Sequence, residues 1–112
     1  MNITACNNVL FLAMCRSHGL PEPVPEYQFA PPRRWRFDWC FLQPGLLTQT
    51  KGIALEIQGG IWTSGRHVRG KALLAEHEKL NEAAVRGYRV LFCTPEDVQS
   101  GAIFPVIKRA LT

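Results

Sequence analysis

Two hydrophobic periods alternate along the chain, and each change of period marks an element. Over residues 3–18, Val9, Leu10, Leu12 and Ala13 form one helical face; Gly19 then offers a stop and Pro21 blocks continuation. "LPEPVPE" is proline-rich and reads as an extended connector within one domain. From Tyr27 the period becomes two. "EYQFA" alternates, and "WRFDWCF" sets Trp35, Phe37, Trp39 and Phe41 on one face with Arg36, Asp38 and Cys40 on the other. After the turn region "QPGLLTQTKG", the segment "IALEIQ" points Ile53, Leu55 and Ile57 one way and Ala54, Glu56 and Gln58 the other.

The period returns to that of a helix over Gly70 to Arg86. Leu73, Leu80 and Ala84 fall on one side, with Lys71, Glu78 and Glu82 almost opposite. Gly87 ends it. "YRVLFC" is then a nearly continuous apolar strand, and its place after a helix predicts a crossover to a parallel partner, buried on both faces. "TPEDV" opens a last helix with Thr94 as N-cap, Pro95 in the first turn and Asp97 three residues after the cap. The predicted order is helix, three strands, helix, strand, helix: an α/β domain around a mixed sheet.

A length of 112 residues suits one domain, residues 1–112, and is too short for two ordinary ones. Lys and Arg exceed Asp and Glu by 13 to 9, a net +4 that is compatible with a polyanionic partner without requiring one. The basic residues cluster as Arg33, Arg34 and Arg36 and as Arg66, Arg69 and Lys71, two groups that flank Asp38 and Glu56 in sequence; each alone reads as a solvated loop. Cys6, Cys15, Cys40 and Cys93 form neither a CxxC pair nor a Cys/His ligand spacing, which predicts free thiols in a reducing, cytoplasmic compartment. "NNVLFLAMC" lacks the basic flank of a signal peptide and is too short to span a bilayer, so no membrane association is expected.

Strand parity gives the chemistry its address. Asp38 and Glu56 project from the same side of neighbouring strands, opposite the large apolar residues. Two such carboxylates suit a hard divalent cation, which takes oxygen ligands and leaves positions for water and phosphate. The alternative is that each acid pairs with an arginine, Arg36 or Arg66, and spacing alone does not choose between them.

Phe37-Asp38, followed after a hairpin by "LEIQ", resembles the PD-(D/E)xK nuclease superfamily, and the element order is similar to its restriction-endonuclease-like core. "RRWRFDW", "EIQGGIW", "GRHVRGK", "EKLNEAA" and "GYRVLFCTPEDV" resemble small nuclease-like proteins of phages and prophages and, more distantly, very-short-patch-repair endonuclease domains. The likeness covers roughly residues 26–98. It implies a metal-dependent DNA endonuclease using Mg²⁺, with Mn²⁺ as substitute, acting in a bacterial host cell and possessing little sequence specificity or a preference for DNA structure. A homodimer would place two sites on two strands.

By the same resemblance Asp38 and Glu56 are the acidic ligands, the backbone carbonyl of Ile57 or Gln58 is a further ligand, and Glu26 is an additional acid near the metal. Gln58 stands where the motif has lysine, and glutamine can orient water but neither titrates nor carries charge. Lys71 and His67 are the candidates to compensate: Lys71 by reaching the phosphate, His67 as a substrate contact or proton-transfer group. Arg33, Arg34, Arg36, Arg66 and Arg69 are expected at DNA phosphates. Trp62 is a candidate base-stacking residue or core cap, and Gly59 and Gly60 would give clearance for a DNA backbone. Because Gln58 departs from the motif, a nuclease-like module that binds DNA or protein without turnover is the competing expectation.

Overall fold

The computed structural model describes residues 8–43, 51–59 and 65–112, the first five of the last stretch in backbone only. Helix α1 (Asn8–Ser17) is followed by strands β1 (Val24–Gln28), β2 (Arg36–Leu42) and β3 (Gly52–Ile57). Helix α2 (Gly65–Val85) leads to β4 (Tyr88–Cys93), and α3 (Pro95–Ser100) and α4 (Ile103–Leu111) close the chain. The strands form one sheet in the order β1-β2-β3-β4, antiparallel except for the parallel β3/β4 pair that α2 connects. The protein is thus α/β with a mixed sheet, as the periods predict. Among the described residues no helix is long and apolar enough to cross a membrane.

Each face of the sheet carries its own core. On one side Trp39, Phe41, Ile53, Leu55 and Cys93 pack with Phe11 and Cys15 of α1, Val98 of α3, and Ile103, Phe104 and Ile107 of α4. Phe11 stacks on Trp39 at 4.4 Å between centroids and meets Phe104 at 5.4 Å. On the other side Phe29, Phe37, Cys40, Ala54 and Tyr88 pack with Ala83 of α2. Phe29 lies parallel to Phe37 at 4.2 Å, and Tyr88 meets both rings edge-on. Small residues, Cys40, Ala54 and Ala83, let α2 come down close to the centre of the sheet.

Several expectations change. Helix α1 turns Phe11 and Cys15 inward and leaves Val9, Leu10 and Ala13 exposed, and β1 begins at Val24, within the proline-rich stretch. Trp35 and Phe37 do not share a face with Trp39 and Phe41; they belong to the α2 side. The change occurs at Asp38, where β1 pairs Pro25 with Trp39 and Tyr27 with Phe37 while the intervening Glu26 takes φ +49°. A left-handed residue inside a strand turns the ladder about its axis, so parity is not preserved across it. Helix α2 begins at Gly65, and the face it turns inward is Glu76, Lys79, Leu80 and Ala83, whereas Leu73 stays exposed, as does Ala84. Strand β4 is not buried on both faces: it is an edge strand of this sheet, with Arg89 and Phe92 exposed. The final helix is two helices, because Gly101 at φ +86° ends α3 and lets α4 leave in a new direction. The start of α3 is as predicted: Thr94 Oγ1 accepts from the Asp97 N–H, and Asp97 Oδ2 accepts from the Thr94 N–H.

Two consequences can be measured. A Cβ on Gly52 would lie 2.8 Å from the Phe41 carbonyl oxygen, a backbone atom that cannot step aside. Gly52→Ala is therefore expected to lower stability by about 1–3 kcal/mol, seen as a lower urea midpoint. Burial pushes the thiols of Cys15, Cys40 and Cys93 up to about 12, so these three should resist iodoacetamide at pH 8 until the chain unfolds, as read by peptide mass spectrometry.

Candidate functional site

The centre of the sheet's α2 side carries two carboxylates. Leu55 pairs with Trp39 and Ala54 with Cys40, so the next step of the ladder sets Glu56 against Asp38. Their oxygens replace part of the backbone pairing there. The Asp38 N–H donates to Glu56 Oε2 at 3.3 Å, and the Ile57 N–H donates to Asp38 Oδ2 at 2.7 Å. Each acid is thus held by the other strand's backbone, which fixes both side chains without a further residue. The second candidate ligand strand continues to Gln58, half-buried, whose N–H donates to the Cys93 carbonyl at 2.8 Å.

A third residue completes the cluster. Lys79 reaches down from α2, and its Nζ donates to Glu56 Oε1. Only 13% of the Lys79 side chain and 9% of the Glu56 side chain remain exposed, so this ion pair is largely shielded from water. The ammonium also lies 5.9 Å above the Phe37 ring. Burial is the largest influence on Glu56 and raises its pKa; Lys79 opposes this by hydrogen bond and charge, and the neighbouring Asp38 charge reinforces it. Among the described residues Glu56 is the buried charged side chain of the fold.

Lys79 was not among the residues that the sequence singled out. Its signal is "EHEKLNEAA": Glu76, Lys79, Leu80 and Ala83 fall three and four apart, and a helix that uses this stripe must bury an ammonium. A stripe chosen by apolar content alone passes over it. Lys71 lies eight residues earlier on α2, about 12 Å along the axis, and is exposed.

The other candidates divide into placed and unplaced. Glu26 is exposed and lies across from Asp38 in the β1/β2 register; its carbonyl accepts from Arg36 Nη1 at 3.3 Å. Among the described residues no three His, Cys, Asp or Glu side chains gather as a metal-holding cluster, so Glu26 does not join the pair in such a group. Arg34 and Arg36 are exposed. Arg33 is already engaged, with Nη2 2.8 Å from Glu78 Oε1 and its guanidinium 3.8 Å over the Trp35 ring. Gly59 is exposed beside the Pro95 ring. The side chains of Arg66, His67 and Arg69, and all of Gly60 and Trp62, lie outside the described residues.

The donor set suits a hard cation. Asp38 and Glu56 supply carboxylate oxygens from adjacent strands, and Mg²⁺ commonly takes one or two carboxylates with water and phosphate filling the rest. Among the described residues the counter-charge of Glu56 is Lys79, not Arg36; the Arg66 side chain lies outside them. No family model, curated protein or solved structure matches the chain.

The buried pair makes stability pH-dependent with a defined sign. A carboxyl whose pKa is raised on folding favours the folded state most when protonated, and that contribution is lost as pH rises through its folded pKa. Relative to Glu56→Gln, the wild type should lose stability on going from acid toward neutral pH. Lys79→Met should cost about 3–5 kcal/mol near pH 7 by leaving Glu56 without its partner. Adding Glu56→Gln should recover most of that loss, and urea titrations across pH read both effects.

Proposed function

We propose that the protein is a metal-dependent DNA endonuclease whose site is Asp38, Glu56 and Lys79. The observation that carries this reading is the convergence of two carboxylates and one ammonium at the centre of the sheet, the charges that the motif resemblance calls for. Lys79 brings from α2 the positive charge that Gln58 does not. Asp38 and Glu56 would hold Mg²⁺ through the oxygens not spent on backbone N–H groups. Bound there, the ion supplies Lewis acidity toward a phosphoryl oxygen and acidifies water.

The chain's own residues account for the remaining roles. The backbone N–H groups of Asp38 and Ile57 keep the two carboxylates in register. Lys79 supplies positive charge close to where a phosphate accumulates negative charge, in surroundings with little water to screen it. Gln58, on the same strand, can orient water or substrate through its carboxamide. Arg34 and Arg36 are exposed and would meet phosphates, positioning the nucleic acid without reading sequence. Such phosphate contacts would recognise the substrate by backbone and shape. A second copy of the chain would serve the opposite strand.

One observation favours the competing reading of a binding module without turnover: both Glu56 oxygens are occupied, by Lys79 and by the Asp38 N–H. A nicking assay separates the two. Supercoiled plasmid and a panel of duplex, flap, single-stranded and four-way-junction DNAs are incubated with Mg²⁺, Mn²⁺ or EDTA. The wild type should cleave in a metal-dependent way, and Asp38→Asn should abolish cleavage while DNA affinity stays within a few-fold. Lys79→Met should reduce cleavage roughly a hundredfold. Full cleavage by Asp38→Asn would remove the site assignment, and inactivity of the wild type on every substrate would leave the binding module.

A further inference from the structure

We infer that Lys79 is an internal counter-cation: its ammonium holds the place on Glu56 that a divalent cation needs, so metal binding requires Lys79 to leave. The inference rests on the two-carboxylate reading of the site and adds how that site is regulated. Its basis is geometric. Glu56 Oε2 and Asp38 Oδ2 are committed to backbone N–H groups, and the remaining Glu56 oxygen, Oε1, accepts from Lys79 Nζ. A cation held by the two acids would compete with the Lys79 ammonium for Glu56 Oε1, the oxygen that no backbone N–H takes, and would set two positive charges against one carboxylate.

Charge gives the same result. Two adjacent carboxylates in a site where Glu56 is 7% exposed would repel each other strongly if nothing neutralised them. Lys79 makes the metal-free site tolerable, at net −1 across Asp38, Glu56 and Lys79. Arrival of a divalent ion with Lys79 still in place would take the cluster from −1 to +1, and repulsion between two cations at one carboxylate would favour release of the lysine. Lys79 sits on an element different from both carboxylates and has a flexible stem, so it can swing while the strands stay fixed. The apparent metal affinity is then the intrinsic affinity reduced by the fraction of molecules in which Lys79 has already left.

The released lysine also acquires a role. Freed from Glu56, its ammonium would remain within a side-chain length of the two carboxylates, available to a phosphate brought there by the metal, so one residue would stabilise the empty site and then serve the filled one. The wild-type protein tests this without any substitution. Lys79 Nζ should react slowly with an amine-acylating ester in EDTA and several-fold faster in Mg²⁺, as read by peptide mass spectrometry against exposed Lys51, Lys71 and Lys108, which should not change. A Lys79 rate that is unchanged or lowered by Mg²⁺ overturns the inference.

Mn²⁺ affinity provides the second arm, measured by the paramagnetic resonance of free Mn²⁺ with Mg²⁺ competition. Lys79→Met and Lys79→Gln should bind Mn²⁺ at least roughly tenfold tighter than the wild type, and Glu56→Gln should abolish the gain. Equal or weaker binding by the Lys79 variants overturns the displacement and leaves metal-dependent cleavage standing if the wild type cleaves. Absence of Mn²⁺ binding in all proteins overturns both. Should the variants be unfolded alone, recovery of their circular dichroism on adding Mn²⁺ supports the inference; failure to recover at saturating Mn²⁺ overturns it.

Discussion

A carboxylate at the centre of a β-sheet is the constraint around which one side of this protein is organised. Glu56 sits two residues along β3 from Ala54 on the same face, in a position that would ordinarily hold a small apolar residue under a helix. Burying it as an anion is costly unless charge and hydrogen bonds answer it. The answer comes from two directions: the Asp38 N–H within the sheet, and Lys79 from the helix above. This explains why α2 is nearly without amphipathic character although it covers a sheet. Its inward stripe must carry Glu76 and Lys79 as well as Leu80 and Ala83.

The opposite side of the sheet has none of this compromise. Trp39, Phe41, Ile53 and Leu55 meet an apolar wall from α1, α3 and α4, in the larger of the two buried clusters. The two faces therefore divide the work: one builds the fold, and the other holds charge at a defined place. Such a division lets Asp38 and Glu56 be expensive, because the strands carrying them are held in place by their opposite-facing neighbours. The alternation of a strand makes this possible, since Leu55 and Ile57 anchor the same backbone that presents Glu56.

Much of the fold could be read in the sequence because it depends on local rules. The caps at Thr94 and the stop at Gly19, the strand parity of "IALEIQ", and the parallel crossover into "YRVLFC" all follow from residue type and spacing. The Asp38–Glu56 proximity was also legible, since it needed only two strands in antiparallel register. What could not be read depends on tertiary context. The roll of the β1/β2 pair at Glu26 follows from a left-handed glutamate, which has no sequence signature. The partner of Glu56 lies 23 residues away on another element, and no periodicity links an acid in a strand to a lysine on a helix that crosses above it. The helix face was misread for a related reason: counting apolar residues favours Leu73 and Ala84, whereas contact with the sheet selects Lys79 and Ala83.

The same distance bears on the glutamine beside Glu56. A lysine at position 58 would be tied to the strand, two residues from the acid and fixed by the same pleat. A lysine at position 79 approaches from a separate element on a long flexible stem. The charge at the site is the same in both arrangements, but the freedom to withdraw is greater in the second. Under the proposed displacement, a helix-borne lysine would pair with Glu56 in the empty site and turn away when a cation fills it. Read this way, Gln58 is not a lost charge. Under the proposed function it would be a polar group that orients without competing, with the ammonium carried by another element.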